Sequence, residues 1–109
     1  MSRRFFHLVR EGRKLTVVAG HDRPLSTLFL QLLQDSAATD NEDVLLYSSL
    51  SEPKLDWTDI NTVADKLAAL GIEPPDSLIE GVFLDQCLDI GNLMVEHHFD
   101  RAPTVLYAG

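Results

Sequence analysis

The pair His97-His98, set between Glu96 and Asp100, is the first place in this sequence where side chains could do chemistry. On a strand, neighbouring side chains point to opposite faces, so the two imidazoles are not expected to share one ion. His98 would lie on one face with Glu96 and Asp100, a carboxylate–histidine group suited to moving a proton or holding a divalent cation. The plainer reading is a polar strand face turned to solvent. His97 alternates with Leu93, Val95 and Phe99 and reads as a hydrogen-bonded core or interface histidine. No His-x-x-x-His or Cys-x-x-Cys spacing occurs, so there is no zinc signature, and neither metal nor cofactor is called for.

A second candidate is His21-Asp22, which opens a loop after a strand-like run. An aspartate can orient an imidazole for base catalysis, with Ser26 or Cys87 as nucleophile. Neither nucleophile has the Gly-x-Ser-x-Gly setting that exposes an attacking atom, and Asp22 serves equally well as a cap for turn amides. The glycines at 12, 20, 71, 81, 91 and 109 never form a phosphate-cradling loop. Cys87, the one cysteine, excludes an intrachain disulfide and reads as a small buried apolar residue. Trp57 is the single tryptophan, either a binding hot spot or a clamp holding a helix to a sheet.

The elements that must position these groups follow from periodicity. Glu11-Gly12 between β-forming runs predicts a tight hairpin that pairs Arg10 with Arg13. That register puts Phe6, Leu8, Leu15 and Val17 on a core face. It leaves Phe5, His7, Val9, Thr16 and Val18 on a mixed outer face. Residues 25–34 fit either a helix or a strand buried on both faces. The strand is preferred, because Val44 to Leu50 would then complete a meander. The intervening loop 35–43 is polar and acidic and is expected to be mobile.

Asp56 is expected to cap a helix carrying Ile60, Val63, Ala64 and Leu67, ended by Gly71 and Ile72. Ser77 with Glu80 predicts the capping box of a second helix, with Leu78, Ile79, Val82, Phe83, Cys87, Leu88 and Ile90 as its apolar face and Gly91 as its end. Gly81 inside it costs about 1 kcal/mol against alanine. Period-two alternation from Leu93 to Phe99 predicts a strand, and Thr104 to Tyr107 a short last one. The expected fold is one α+β domain over 1–109. It comprises an antiparallel β-meander (the N-terminal hairpin plus two further strands), two consecutive helices packed on one face, and short C-terminal strands.

The chain has 109 residues, 45% of them apolar and 24% charged, which excludes wholesale disorder. No apolar run is long enough to span a bilayer, and the run from Phe5 to Val9 is too short for a signal peptide; a cytoplasmic location is expected. The net charge of -8 argues against direct nucleic-acid binding. That charge is unevenly laid out: residues 1–24 carry six bases and two acids, the remainder three bases and fifteen acids. Self-association, or an acidic face offered to a basic partner, would use such a layout.

The leading expectation is a non-catalytic adaptor or regulatory protein that acts by protein–protein contact, as a homodimer. Phe5, His7, Val9, His21, Asp22, Arg23 and Trp57 are its candidate contact residues. A second reading is an inhibitor whose carboxylates imitate nucleic-acid phosphates, using Asp35, Asp40, Glu42, Asp43, Asp56, Asp59, Asp65, Asp76, Glu80, Asp85 and Asp89. A third is a small metal-dependent hydrolase built on His21/Asp22 and Glu96/His98.

Overall fold

A computed structural model describes residues 1–35 and 44–108. Six strands form one sheet: β1 (Ser2–Arg10), β2 (Arg13–Asp22), β3 (Thr27–Gln34), β4 (Val44–Ser48), β5 (Leu93–His97) and β6 (Thr104–Ala108). A 3-10 turn (Ser49–Ser51) and two helices, α1 (Ile60–Ala69) and α2 (Asp76–Cys87), lie between β4 and β5. The spatial order is β4-β3-β2-β1-β5-β6. This is the expected α+β arrangement, with the first four strands as a meander. One pairing is not antiparallel: β5 joins β1 in parallel, because the helices carry the chain from the β4 side back past β1.

The hairpin forms in the expected register, Arg10 opposite Arg13, Leu8 opposite Leu15 and Phe6 opposite Val17. Glu11 and Gly12 both have positive φ, 53° and 75°, the pair of left-handed residues that matches a two-residue turn to strand twist. Residues 27–34 are a strand, so Leu28, Leu30 and Leu32 face the helices while Phe29, Gln31 and Leu33 face away. Val17, Leu30, Val63, Leu78 and Val82 are wholly excluded from solvent. Full burial of each such side chain contributes about 1.5–3 kcal/mol.

Helix boundaries differ from the sequence expectation for local reasons. The cap of α1 is Asp59, which accepts from the Asn61 amide. Asp56 instead accepts from the Thr58 amide one turn earlier, leaving Trp57 outside the helix. Gly71 (φ 75°) closes α1 as expected, with the Ile72 amide donating to Leu67 O at 2.8 Å and Ile72 buried. At the start of α2 there is no capping box. Pro75 precedes the helix, and Ser77 turns its hydroxyl to His97. The left-handed residue ending α2 is Asp89 (φ 50°), not Gly91; the Ile90 amide returns to Asp85 O at 2.9 Å.

The broad apolar face expected on α2 splits in two. Leu78 and Val82 enter the core, whereas Phe83, Leu84, Cys87 and Leu88 are exposed. Strand β5 stops at His97, two residues short of the predicted end.

The helices cover the middle of the sheet, and β4 and β6 extend beyond them at its two edges. Every residue of β6 is exposed. Neither edge strand contains a charged residue, yet each is interrupted by a shift in pairing register: Leu46 of β4 and Leu106 of β6 have no partner residue. Such bulges twist an edge away from pairing with another sheet, the role charges play elsewhere.

Candidate functional site

On the helix side of the sheet, β1, α2 and β5 bring four polar side chains together. Arg4 donates from Nε to Asp85 Oδ2 at 2.7 Å and from Nη2 to Asp85 Oδ1 at 2.9 Å. Its Nη1 lies 3.1 Å from His97 Nε2, and His97 Nδ1 lies 2.9 Å from Ser77 Oγ. Asp85 and His97 are almost completely buried. Burial, followed by the charge of Arg4, lowers the His97 pKa to about 4.

Hydrogen-bond directions follow from donor chemistry. A guanidinium only donates, so His97 Nε2 must accept and the ring proton sits on Nδ1, which donates to Ser77. His97 therefore presents a proton, not a lone pair, to the Ser77 hydroxyl. This wiring is the reverse of what general-base activation of a serine requires. The network is a structural tie, and His97 is the hydrogen-bonded core histidine its sequence setting suggested. Gly81 makes room for it, since a Cβ there would collide with the Arg4 guanidinium.

A second polar line crosses the opposite face. Thr16 donates its one hydroxyl proton to Asp35 Oδ1 at 3.0 Å, so the 2.9 Å contact with His7 Nδ1 is made by the imidazole proton. His7 Nε2 then faces Glu96 Oε2 at 3.5 Å, and His98 Nε2 faces Glu96 Oε1 at 3.6 Å and Thr104 Oγ1 at 3.2 Å. Glu96 and His98 do meet, as their alternation implied, while Asp100 pairs with Arg101.

His21 is on the other side of the sheet. It is buried and faces Asp89 Oδ1 at 3.8 Å, with no hydrogen bond to Nδ1. Asp22 accepts from the Leu25 amide at the turn. The His21/Asp22 and Glu96/His98 groups therefore do not form one centre. Among the described residues no three His, Cys, Asp or Glu side chains are placed to hold a metal ion.

The sheet face away from the helices is concave and holds a cavity of about 680 Å³. Phe5, Val18, Leu25, Phe29, Leu33 and Trp57 give it an apolar wall, and Arg3 and Asp22 contribute its charged groups. Of the sequence candidates, Phe5, Asp22 and Trp57 line it. His7 and Val9 lie farther along β1, with Val9 68% exposed. Arg23 is held by Asp89 at 3.2 Å. Trp57 acts mainly as a clamp: it is buried, Nε1 donates to Glu52 O at 2.9 Å, and its carbonyl accepts from the Leu28 amide at 2.7 Å. Sequence reasoning missed Arg3, Phe29 and Leu33. Their signal was the period-two alternation of Arg3 with Phe5 and of Phe29 with Leu33.

On the far side of the molecule, α2 turns Phe83, Leu84, Cys87 and Leu88 outward. Asp76 and Glu80 of the same helix and Asp65 of α1 are exposed and in no ion pair among the described residues. Of the proposed phosphate-imitating acids, Asp85 points inward and Asp89 is paired, while Asp40, Glu42 and Asp43 lie outside the described residues. No described helix is long and apolar enough to cross a membrane. Compared with protein-family models, curated proteins and solved structures, the chain matches none.

Proposed function

We propose that this chain is a non-catalytic adaptor that works by protein–protein contact and self-associates through the outer face of α2. The observation behind this reading is that α2 is apolar on both sides: Leu78 and Val82 fill the core while Phe83, Leu84 and Leu88 stand 46%, 54% and 67% exposed. An exposed apolar stripe rimmed by polar residues is at home at an interface between chains. A second copy is the favoured occupant because two such helices form a self-complementary, closed pair. Insertion of that stripe into another copy's outer sheet face would instead be a heterologous contact, which closes only for particular rotations. The reversed wiring of His97 and Ser77 supports a non-catalytic role.

Light scattering coupled to size-exclusion chromatography tests this reading. The expected result is a dimer at micromolar concentration that Leu84→Lys converts to a folded monomer. A monomeric native chain at high micromolar concentration overturns it.

A second reading, a carboxylate surface offered to a basic nucleic-acid-handling protein, is supported by Asp65, Asp76 and Glu80, which are exposed and in no ion pair among the described residues. It requires binding that weakens steeply with salt.

A further inference from the structure

Arg3 is a charged side chain of the cavity wall that has no counterion among the described residues. Arg3 projects from β1 on the face away from the helices, at the wall of the 680 Å³ cavity. It makes no hydrogen bond or ion pair among the described residues. Its neighbour in sequence, Arg4, is by contrast fully engaged on the opposite face. Asp22, the cavity's carboxylate, is tied to its own turn by the Leu25 amide. Small-molecule sites commonly have volumes of about 300–1,000 Å³, mostly apolar walls and a few polar groups that fix orientation. An arginine with no donor engaged among the described residues, beside an aromatic and aliphatic wall, matches a guest with a greasy body and one acidic end.

From this charge complementarity we infer that the cavity is a binding site for an amphipathic monocarboxylate, with Arg3 holding the carboxylate and Phe5, Val18, Phe29 and Leu33 enclosing the apolar body. The site lies on the opposite side of the molecule from the α2 stripe and does not depend on self-association.

Dodecanoate, dodecanol and dodecyltrimethylammonium are the probes, each at a concentration where it is dissolved as single molecules. Binding is followed by calorimetry and by the fluorescence of Trp57, which lies at the cavity wall. Dodecanoate is expected to bind about tenfold or more tightly than dodecanol, the usual effect of one charge-assisted contact, and the cationic probe most weakly. Arg3→Gln brings dodecanoate to the level of dodecanol without altering dodecanol binding. Asp22→Asn preserves or strengthens dodecanoate binding. Val18→Trp, which fills the cavity, abolishes binding of all three while circular dichroism shows a folded chain.

Equal affinity for the three probes, no binding of any, or dodecanoate affinity unchanged by Arg3→Gln overturns the inference. Because Leu84→Lys is read by oligomeric state and these variants by probe binding, the two proposals succeed or fail separately.

Discussion

Arg4 on β1 and Asp85 on α2 meet in a two-pronged ion pair, 2.7 and 2.9 Å, across 81 residues of sequence, and His97 caps the remaining side of the guanidinium at 3.1 Å. Removing water from two charges is costly, so such a pair is only modestly favourable as a whole but severe to break in half. Asp85→Ala is expected to destabilise the fold by about 3–5 kcal/mol, since Arg4 keeps a buried charge without a partner. Joint replacement of Arg4 and Asp85 by leucine should cost less than Asp85→Ala alone. Urea denaturation of the native chain and the two variants checks the order; a double variant less stable than Asp85→Ala would overturn it.

Gly81→Ala tests the same tie from the helix side. Helix propensity alone predicts a gain of about 1 kcal/mol. The added methyl would meet the Arg4 guanidinium, which Asp85 holds in place and which therefore cannot swing away. A net loss of roughly 1–3 kcal/mol is expected, as for other overpacked sites. In an Arg4→Leu background the loss should shrink or reverse, which a double-mutant cycle by thermal denaturation would show.

His97 gives stability a pH dependence with a definite sign. Its pKa is about 4 when folded against an ordinary value of 6.5, so the unfolded chain takes up the proton first as pH falls. The stabilisation is complete above pH 6.5 and disappears as pH drops towards 4. The linked free energy is at most about 3 kcal/mol. His97→Gln keeps an acceptor for Arg4 and a donor for Ser77 but no titration. It should therefore lose less stability than the native chain over that interval, measured by urea midpoints at successive pH values.

The edge bulges yield a prediction about solubility. Deleting Leu106 removes the unpaired residue of β6 and restores a regular edge carrying Val105 and Tyr107. That variant should aggregate at concentrations where the native chain stays dispersed, with a β-type amide infrared band near that of stacked sheets. Equal dispersal of the two proteins would assign protection of this edge to something other than the bulge.

Where side chains alternate in short range, the fold was legible. The pairing of Phe6 with Val17 and Leu8 with Leu15 follows from the two-residue turn alone, and Gly71-Ile72 marks the end of α1 correctly. The parallel joint of β1 and β5 was not legible, because nothing local in Leu93–His97 says which neighbour it will take.

The largest error was at α2. Phe83, Leu84 and Leu88 have the hydropathy of core residues, but the sheet beneath the helix is covered by Leu78 and Val82. Composition alone cannot tell a core face from one left for a partner. Ser77 looked like a cap because Ser-x-x-Glu is a local signal, and a contact with His97, 20 residues away, overrode it. The cavity is half visible in the sequence: the hairpin register puts Phe5 and Val18 on the mixed outer face, and period two adds Arg3 to that face and Arg4 to the other, but nothing local says that Phe29 and Leu33 will stand beside them.

The position of β1 also constrains how the chain is made. It is the first of the six strands to leave the ribosome, yet it ends in the interior of the sheet, and its second neighbour is encoded some 90 residues later, at Leu93–His97. Until that stretch emerges, one side of β1 has no hydrogen-bonding partner, and Arg4 has neither Asp85 nor His97 to meet. Closure of the sheet and burial of the charge are thus a single late event, dominated by contacts distant in sequence. Nascent chains truncated before residue 93 would then be the species that most needs a holding chaperone.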